Sequence, residues 1–111
     1  MADEIKPPST GLNQNVAAML CYLAGWVTGL IFFLIEKDNK FVRFHAMQSI
    51  ITFGGLTALF MFAAFIPVLG WMLFPILGIV QLVLWILLMV KAYQGEKFKL
   101  PVIGDLAEQN S

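Results

Sequence analysis

The stretch from Ile50 to Val90 reads IITFGGLTALFMFAAFIPVLGWMLFPILGIVQLVLWILLMV, 41 consecutive residues without a charge. As one α-helix rising 1.5 Å per residue it would be about 60 Å long, twice the roughly 30 Å hydrocarbon core of a bilayer. Such a run has to fold back on itself. The place is marked by Pro67-Val68-Leu69-Gly70, because proline and glycine punctuate helices. The reading is a helix over about Ala46–Ile66, a very short hairpin, and a helix over about Trp71–Val90. Pro75 then falls one turn into the latter, where a missing N–H costs little because the first backbone donors of a helix have no helical partner.

Upstream, Val16 to Ile35 is a further twenty residues without a charge, the length an α-helix needs to cross the core. A cleavable signal peptide would have a basic leader and a shorter apolar region. Here Asp3 and Glu4 stand against Lys6, and the run is too long. The fold class is therefore an all-α membrane protein with three transmembrane helices, a short hairpin between the second and third, and an interfacial amphipathic segment leading into the second. Composition agrees: 59% of the 111 residues are hydrophobic and 13% charged, where soluble domains carry about 25% charge. Seven basic and seven acidic residues cancel, so nothing pulls the chain toward nucleic acid. The single cysteine, Cys21, excludes an intrachain disulfide.

Three passes put the N-terminus and the Pro67–Gly70 hairpin on one side. The loop from Glu36 to Ser49 and the tail from Lys91 fall on the other, with Lys37, Lys40, Arg43, Lys91, Lys97 and Lys99, six of the seven basic residues. The positive-inside rule then places the N-terminus outside and the C-terminus in the cytoplasm of a prokaryotic plasma (inner) membrane. Trp71 at the outer boundary and Phe41, Phe44 and Tyr93 at the inner one match the usual aromatic belts.

Within the spans the informative residues are small or polar. Ala17, Cys21, Gly25 and Gly29 recur every fourth position, so one helix face is smooth enough for close approach of another helix, in this chain or in a second copy. His45, Gln48, Ser49 and Thr52 form a polar stripe on one face of the second helix, preceded by Arg43 near the headgroups. Polar groups in lipid are expensive, so the stripe faces the bundle or an inner vestibule. It serves either as interhelical hydrogen bonds, each about 0.6–2 kcal/mol, or as a surface for a ligand or passing polypeptide. Gln81, near the middle of the third helix, is an amide expected to bond a neighbouring helix. Trp26 and Trp85 read as packing or lipid-facing.

No Asp, Glu, Lys or Arg lies inside a span, so a coupled transporter's relay has no carrier. One histidine and one cysteine do not make a metal site. No phosphate loop, nucleophile elbow or carboxylate pair is present, so neither a cofactor nor an enzyme is expected. The leader, Met1–Gln14, with Pro7-Pro8-Ser9-Thr10-Gly11, reads as disordered. Gly95 stops the third helix. The tail from Gly95 to Ser111 carries Phe98, Leu100, Val102, Ile103 and Leu106, which are too apolar to hang free. It should lie on the inner membrane surface beside Phe41–His45, with one helical turn over Asp105–Gln109. The basic residues there invite anionic lipid headgroups at about 1 kcal/mol each.

Lys40-Phe41-Val42-Arg43-Phe44-His45-Ala46-Met47-Gln48-Ser49-Ile50, together with Ala92-Tyr93-Gln94-Gly95-Glu96 and Leu100-Pro101-Val102-Ile103-Gly104, resembles a family of small prokaryotic membrane proteins of unknown function. That family is distantly related to the twenty-kilodalton component of the chloroplast inner-envelope protein-import translocon. The likeness spans about Asn15–Ala107. It implies a channel or scaffold subunit, carried if at all by Arg43, His45, Gln48 and Ser49. The import component typically has four spans, against three here. The first functional reading is an oligomeric scaffold or accessory subunit of a larger membrane complex, in transport or protein translocation. A holin-like pore former shares the topology, and a small-molecule exporter subunit would need a membrane charge or repeat that the chain does not show.

Overall fold

The computed structural model describes residues 11–111. The first ten residues of the expected leader, and Lys6 with them, lie outside the described residues. Those described form five helices and no strand: α1 Gln14–Leu23, α2 Trp26–Ile35, α3 Lys40–Ala64, α4 Pro67–Tyr93 and α5 Ile103–Asn110. The all-α class holds. The count of three spanning helices does not, because only α3 and α4 are long and apolar enough to cross a membrane.

The expected first span, Val16–Ile35, is two ten-residue helices separated at Gly25. Gly25 has φ 64° and ψ −138°, a conformation that a side-chain-bearing residue enters only under strain. The chain reverses there. Going up α1, Gln14 bonds Asn39 (2.8 Å), the Cys21 thiol lies 3.7 Å from the Val42 carbonyl, and Tyr22 meets His45. At the turn the Ser49 hydroxyl reaches the Gly25 carbonyl and Phe53 packs on Gly25. Coming back along α2, Gly29 presses on Ala46 and Ser49, and the Phe33 carbonyl is bonded by Arg43. The α1–α2 unit is thus a helical hairpin that enters and leaves at the Asn39 end of α3. The sidedness drawn from three passes therefore fails for the described residues: the start of α1 adjoins the Glu36–Lys40 loop, and Asn15 touches Gly95.

Boundaries of the two long helices also differ from expectation. α3 begins at Lys40 instead of Ala46, because the Asn39 side chain accepts the Val42 N–H at 2.9 Å and caps the helix. The interfacial lead-in is therefore the first turns of α3 itself. α4 begins at Pro67, not Trp71. Proline suits the first helical position because its fixed φ is already helical and its missing N–H had no partner to lose. The reversal is only Phe65 and Ile66, tight enough that Gly70 lies against the Ala63 backbone with no room for a Cβ. Pro75 consequently sits within α4, beyond its first turn.

Four helices surround the near end. α1 lies between α3 and the C-terminal half of α4, with Ala18, Tyr22, Phe53, Leu88 and Ala92 in one buried cluster, and α2 covers another face of α3. Beyond the tip at Gly25, α3 and α4 continue as a bare pair. There Met61, Phe62, Phe65, Val68 and Trp71 are each more than 60% exposed, on a molecule 51 Å long and 23 × 22 Å across. A face this apolar is natural in lipid and untenable in water.

α4 stops in a Schellman motif: Gly95, at φ 81°, donates its N–H to the Ala92 carbonyl, and Glu96 donates to Lys91. The chain then crosses the near end, and α5, longer than the expected single turn, packs on the first turns of α3.

Candidate functional site

The polar stripe is buried and almost wholly occupied. Gln48 Nε2 donates to the Phe98 carbonyl (2.9 Å) and to the Tyr22 hydroxyl (3.0 Å), while Gln48 Oε1 accepts the Leu100 N–H (3.0 Å). One side chain thus pairs with the tail as a neighbouring β-strand would. His45 Nε2 lies 2.9 Å from the Glu96 carbonyl, and His45 Nδ1 lies 2.6 Å from the Tyr22 hydroxyl. A carbonyl only accepts, so Nε2 carries the proton and Nδ1 accepts from Tyr22. The network runs in one sense: Gln48 to Tyr22, Tyr22 to His45, His45 to Glu96. It ties α1, α3 and the tail together, and each buried polar atom in it has a partner, which is what makes burial tolerable. Phe41, Phe44 and Tyr22 set their rings edge-on around the imidazole at 4.7–5.5 Å.

Ser49 belongs to a second network, at the hairpin tip. Non-helical backbone at membrane depth must have its polar groups met from within the protein. Here Ser49 donates to the Gly25 carbonyl (2.8 Å). Trp85 Nε1 donates to the carbonyls of Tyr22 (2.7 Å) and Leu23 (3.2 Å), and Thr28 Oγ1 accepts the Ala24 N–H (3.1 Å). Trp85 thus packs against the core cluster, as expected, and in addition holds the tip as a donor. Thr52 is buried, yet its hydroxyl has no partner among the described residues, so the stripe's bonding ends at Ser49.

Arg43 turns inward. Its guanidinium bonds the main-chain oxygens of Ser111 (2.8 Å), Phe33 (3.0 Å) and Glu36 (3.0 Å) and lies 4.1 Å over the Phe33 ring. A cation on the last carbonyls of α2 also suits that helix's dipole. Of the small residues, Ala17, Cys21 and Gly29 are buried inside the chain. A Cβ on Gly29 would come within 2.9 Å of the Ala46 carbonyl. Gln81 is exposed in the middle of α4.

Tyr22, Thr28 and Trp85 were not legible as site residues. Gly25 was the available signal, since a glycine inside an apolar run marks a place where a helix can break and its freed backbone groups then need side-chain partners. In the tail, Glu108 of α5 receives bonds from Lys99 (2.6 Å) and Lys97 (3.0 Å). The Lys99 hydrogen bond, then Lys97, holds the Glu108 carboxyl below its ordinary range, and the same bond raises Lys99.

Two helices long and apolar enough to cross a membrane, a helical hairpin seated against them and a tail clamped over one end define a small all-helical membrane protein. Residues 13–107 match the model of the magnetosome magnetite crystal formation protein family, to which the chain belongs. It is 57% identical to a UPF0132 membrane protein of Methanocaldococcus jannaschii over 93% of each chain. A UPF0132 membrane protein of Archaeoglobus fulgidus is 51% identical over 88% of this chain and 95% of that one. The magnetosome protein MmsF of Paramagnetospirillum magneticum is 33% identical over 98% of this chain and 99% of that one. The small prokaryotic membrane family expected from the motif is thus this one, and no import component is among these relatives. No solved structure matches the chain.

Proposed function

We propose that this protein is a non-enzymatic membrane scaffold: a re-entrant, four-helix base at the cytoplasmic face, held by an apolar two-helix anchor. The single observation that carries the reading is the Gln48 clamp. A stripe meant for a substrate or passing polypeptide would stand open, whereas this one is filled by Glu96, Phe98 and Leu100. That speaks for a fixed body and against the transport or translocation reading. The base displays Lys37, Lys40, Lys97 and Lys99, all exposed, as a rim for anionic headgroups, each adding about 1 kcal/mol.

The family description mentions magnetite crystals. Among the described residues no three His, Cys, Asp or Glu side chains are grouped to hold a metal, so no metal site is carried over to this chain. Purified protein in vesicles loaded with a self-quenched dye separates the scaffold from the pore reading. The expected outcome is dye retention equal to empty vesicles. Dye release proportional to protein would replace the scaffold with a pore.

A further inference from the structure

Gln81 is the polar side chain that the fold leaves exposed at mid-helix. It lies near the midpoint of the 27-residue α4, roughly 20 Å from either end at 1.5 Å per residue. A glutamine there is too short to reach headgroups or water. Its side chain is exposed and makes no hydrogen bond with any described residue. Around the hairpin tip Ser49 and Trp85 are committed to tip carbonyls, Thr28 to the tip, and Thr57 to the Phe53 carbonyl at 2.8 Å, while Thr52, without a partner among the described residues, is buried inside the chain and out of reach of any other. Lipid tails offer an amide nothing, so the cost of Gln81 in hydrocarbon is offset only by another protein surface.

The surroundings are shaped for one. Below the hairpin tip, where four helices give way to two, a cavity of about 540 Å³ opens toward the surface, lined by Gly25, Trp26, Thr57, Gly78, Gln81 and Trp85. Gly78 lies one turn before Gln81 on the same face, and a Cβ built there meets nothing within 4 Å. A second helix therefore has room for close approach beside the amide. The smooth face of α1 and α2 is not available for this purpose, since Ala17, Cys21 and Gly29 are spent inside the chain.

We infer that α4 carries a self-association surface centred on Gln81 and Gly78 whose occupant is a second copy of this chain. The choice of a second copy follows from two facts. An amide is self-complementary, offering both a donor and an acceptor. Copies inserted in the same sense are related by an axis along the membrane normal, so a residue on that axis meets itself at equal depth. Two Gln81 amides then satisfy one another, and Gly78 brings the α4 backbones together. The inference needs only membrane insertion and is independent of the scaffold reading.

The test uses full-length protein in native membranes with Cys21→Ala, which removes the only native thiol. Gln81→Cys is oxidised beside Ile79→Cys and Val83→Cys, which are 64% and 55% exposed in the native chain and lie at similar depth on the opposite side. The expected result is a product of twice the monomer mass from Gln81→Cys at least fivefold above either control. Equal yields from all three overturn the inference, as does a product whose mass requires a different protein. Energy transfer between labelled copies in vesicles is the second readout. Gln81→Leu is expected to weaken association about tenfold and Gln81→Asn to retain it. Unchanged association in Gln81→Leu means that the amide does not carry the contact.

Discussion

Gln48 makes three hydrogen bonds through one amide, two of them to the tail backbone. Replacing it with leucine removes all three and strands the Leu100 N–H in a buried setting. At about 1 kcal/mol per bond the tail loses roughly 2–4 kcal/mol of docking. Trypsin cleavage after Lys97 and Lys99 follows the population of the undocked tail when undocking is fast. Gln48→Leu should therefore raise the cleavage rate at least about tenfold while α3 and α4 stay membrane-embedded; an unchanged rate would show that the tail is held by something else. The ion pairs of Lys99 and Lys97 with Glu108 are the rival holders, but exposed pairs contribute little. Their signs are clear. Glu108, depressed, contributes above its unfolded pKa and loses that contribution as pH falls through its lowered folded value. Lys99, raised, contributes below its unfolded pKa and loses it as pH rises through its raised folded value. Between about pH 5 and pH 9, with both ordinary values outside that range, the contribution of these ion pairs to tail docking should be flat. The stripe itself was legible in the sequence, because three- and four-residue spacing of polar groups in an apolar helix demands a partner. The partner was not, since Glu96, Phe98 and Leu100 contribute backbone atoms that no side-chain pattern records.

The hairpin of α1 and α2 rests on two glycines that do different things. At Gly25 a Cβ would sit 3.6 Å from Phe53, an ordinary contact, so the obstacle to alanine is the positive φ alone. The expected loss is on the order of 1–3 kcal/mol. At Gly29 the backbone is helical, where alanine would ordinarily be favourable by about 0.5–1 kcal/mol. There a Cβ meets Ala46 and Ser49 at 2.9 Å, so α2 must move off α3. Gly25→Ala and Gly29→Ala should both lower the denaturation midpoint in mixed micelles. If Gly25→Ala is neutral, the turn is not at that residue. The sequence reading took Gly25 and Gly29 as one continuous face because the four-residue spacing is the same whether or not the helix breaks between them. Twenty uncharged residues likewise fit one full-length helix or two of half that length. Only the fate of the backbone groups at the break distinguishes them, and the donors that meet those groups, Ser49 and Trp85, lie 24 and about 60 residues away in the chain.

At the scale of the molecule the count of basic residues survives while the number of helices long and apolar enough to cross falls from three to two. Lys37, Lys40 and Arg43 and then Lys91, Lys97 and Lys99 still gather at one end, since α3 and α4 form a single out-and-back hairpin. The positive-inside rule needs nothing more from them. What the rule could not supply was the side on which α1 begins, because a re-entrant pair and a full crossing leave the six later charges in the same place. Interior contacts decide it: Gln14 on Asn39 and Asn15 beside Gly95 put the entry to α1 at the basic end. With Cys21→Ala as background, single cysteines at Asn13, Asp38, Gln109 and Val68 report sidedness by reaction with a membrane-impermeant maleimide. Asn13→Cys, Asp38→Cys and Gln109→Cys should react only when the cytoplasmic face is presented, and Val68→Cys only from the opposite face. Labelling of Asn13→Cys together with Val68→Cys would restore three crossings and dismantle the hairpin. The same pattern bears on the clamp, because Tyr22 reaches His45 and Gln48 only if α1 runs beside the first turns of α3 from the basic end inward.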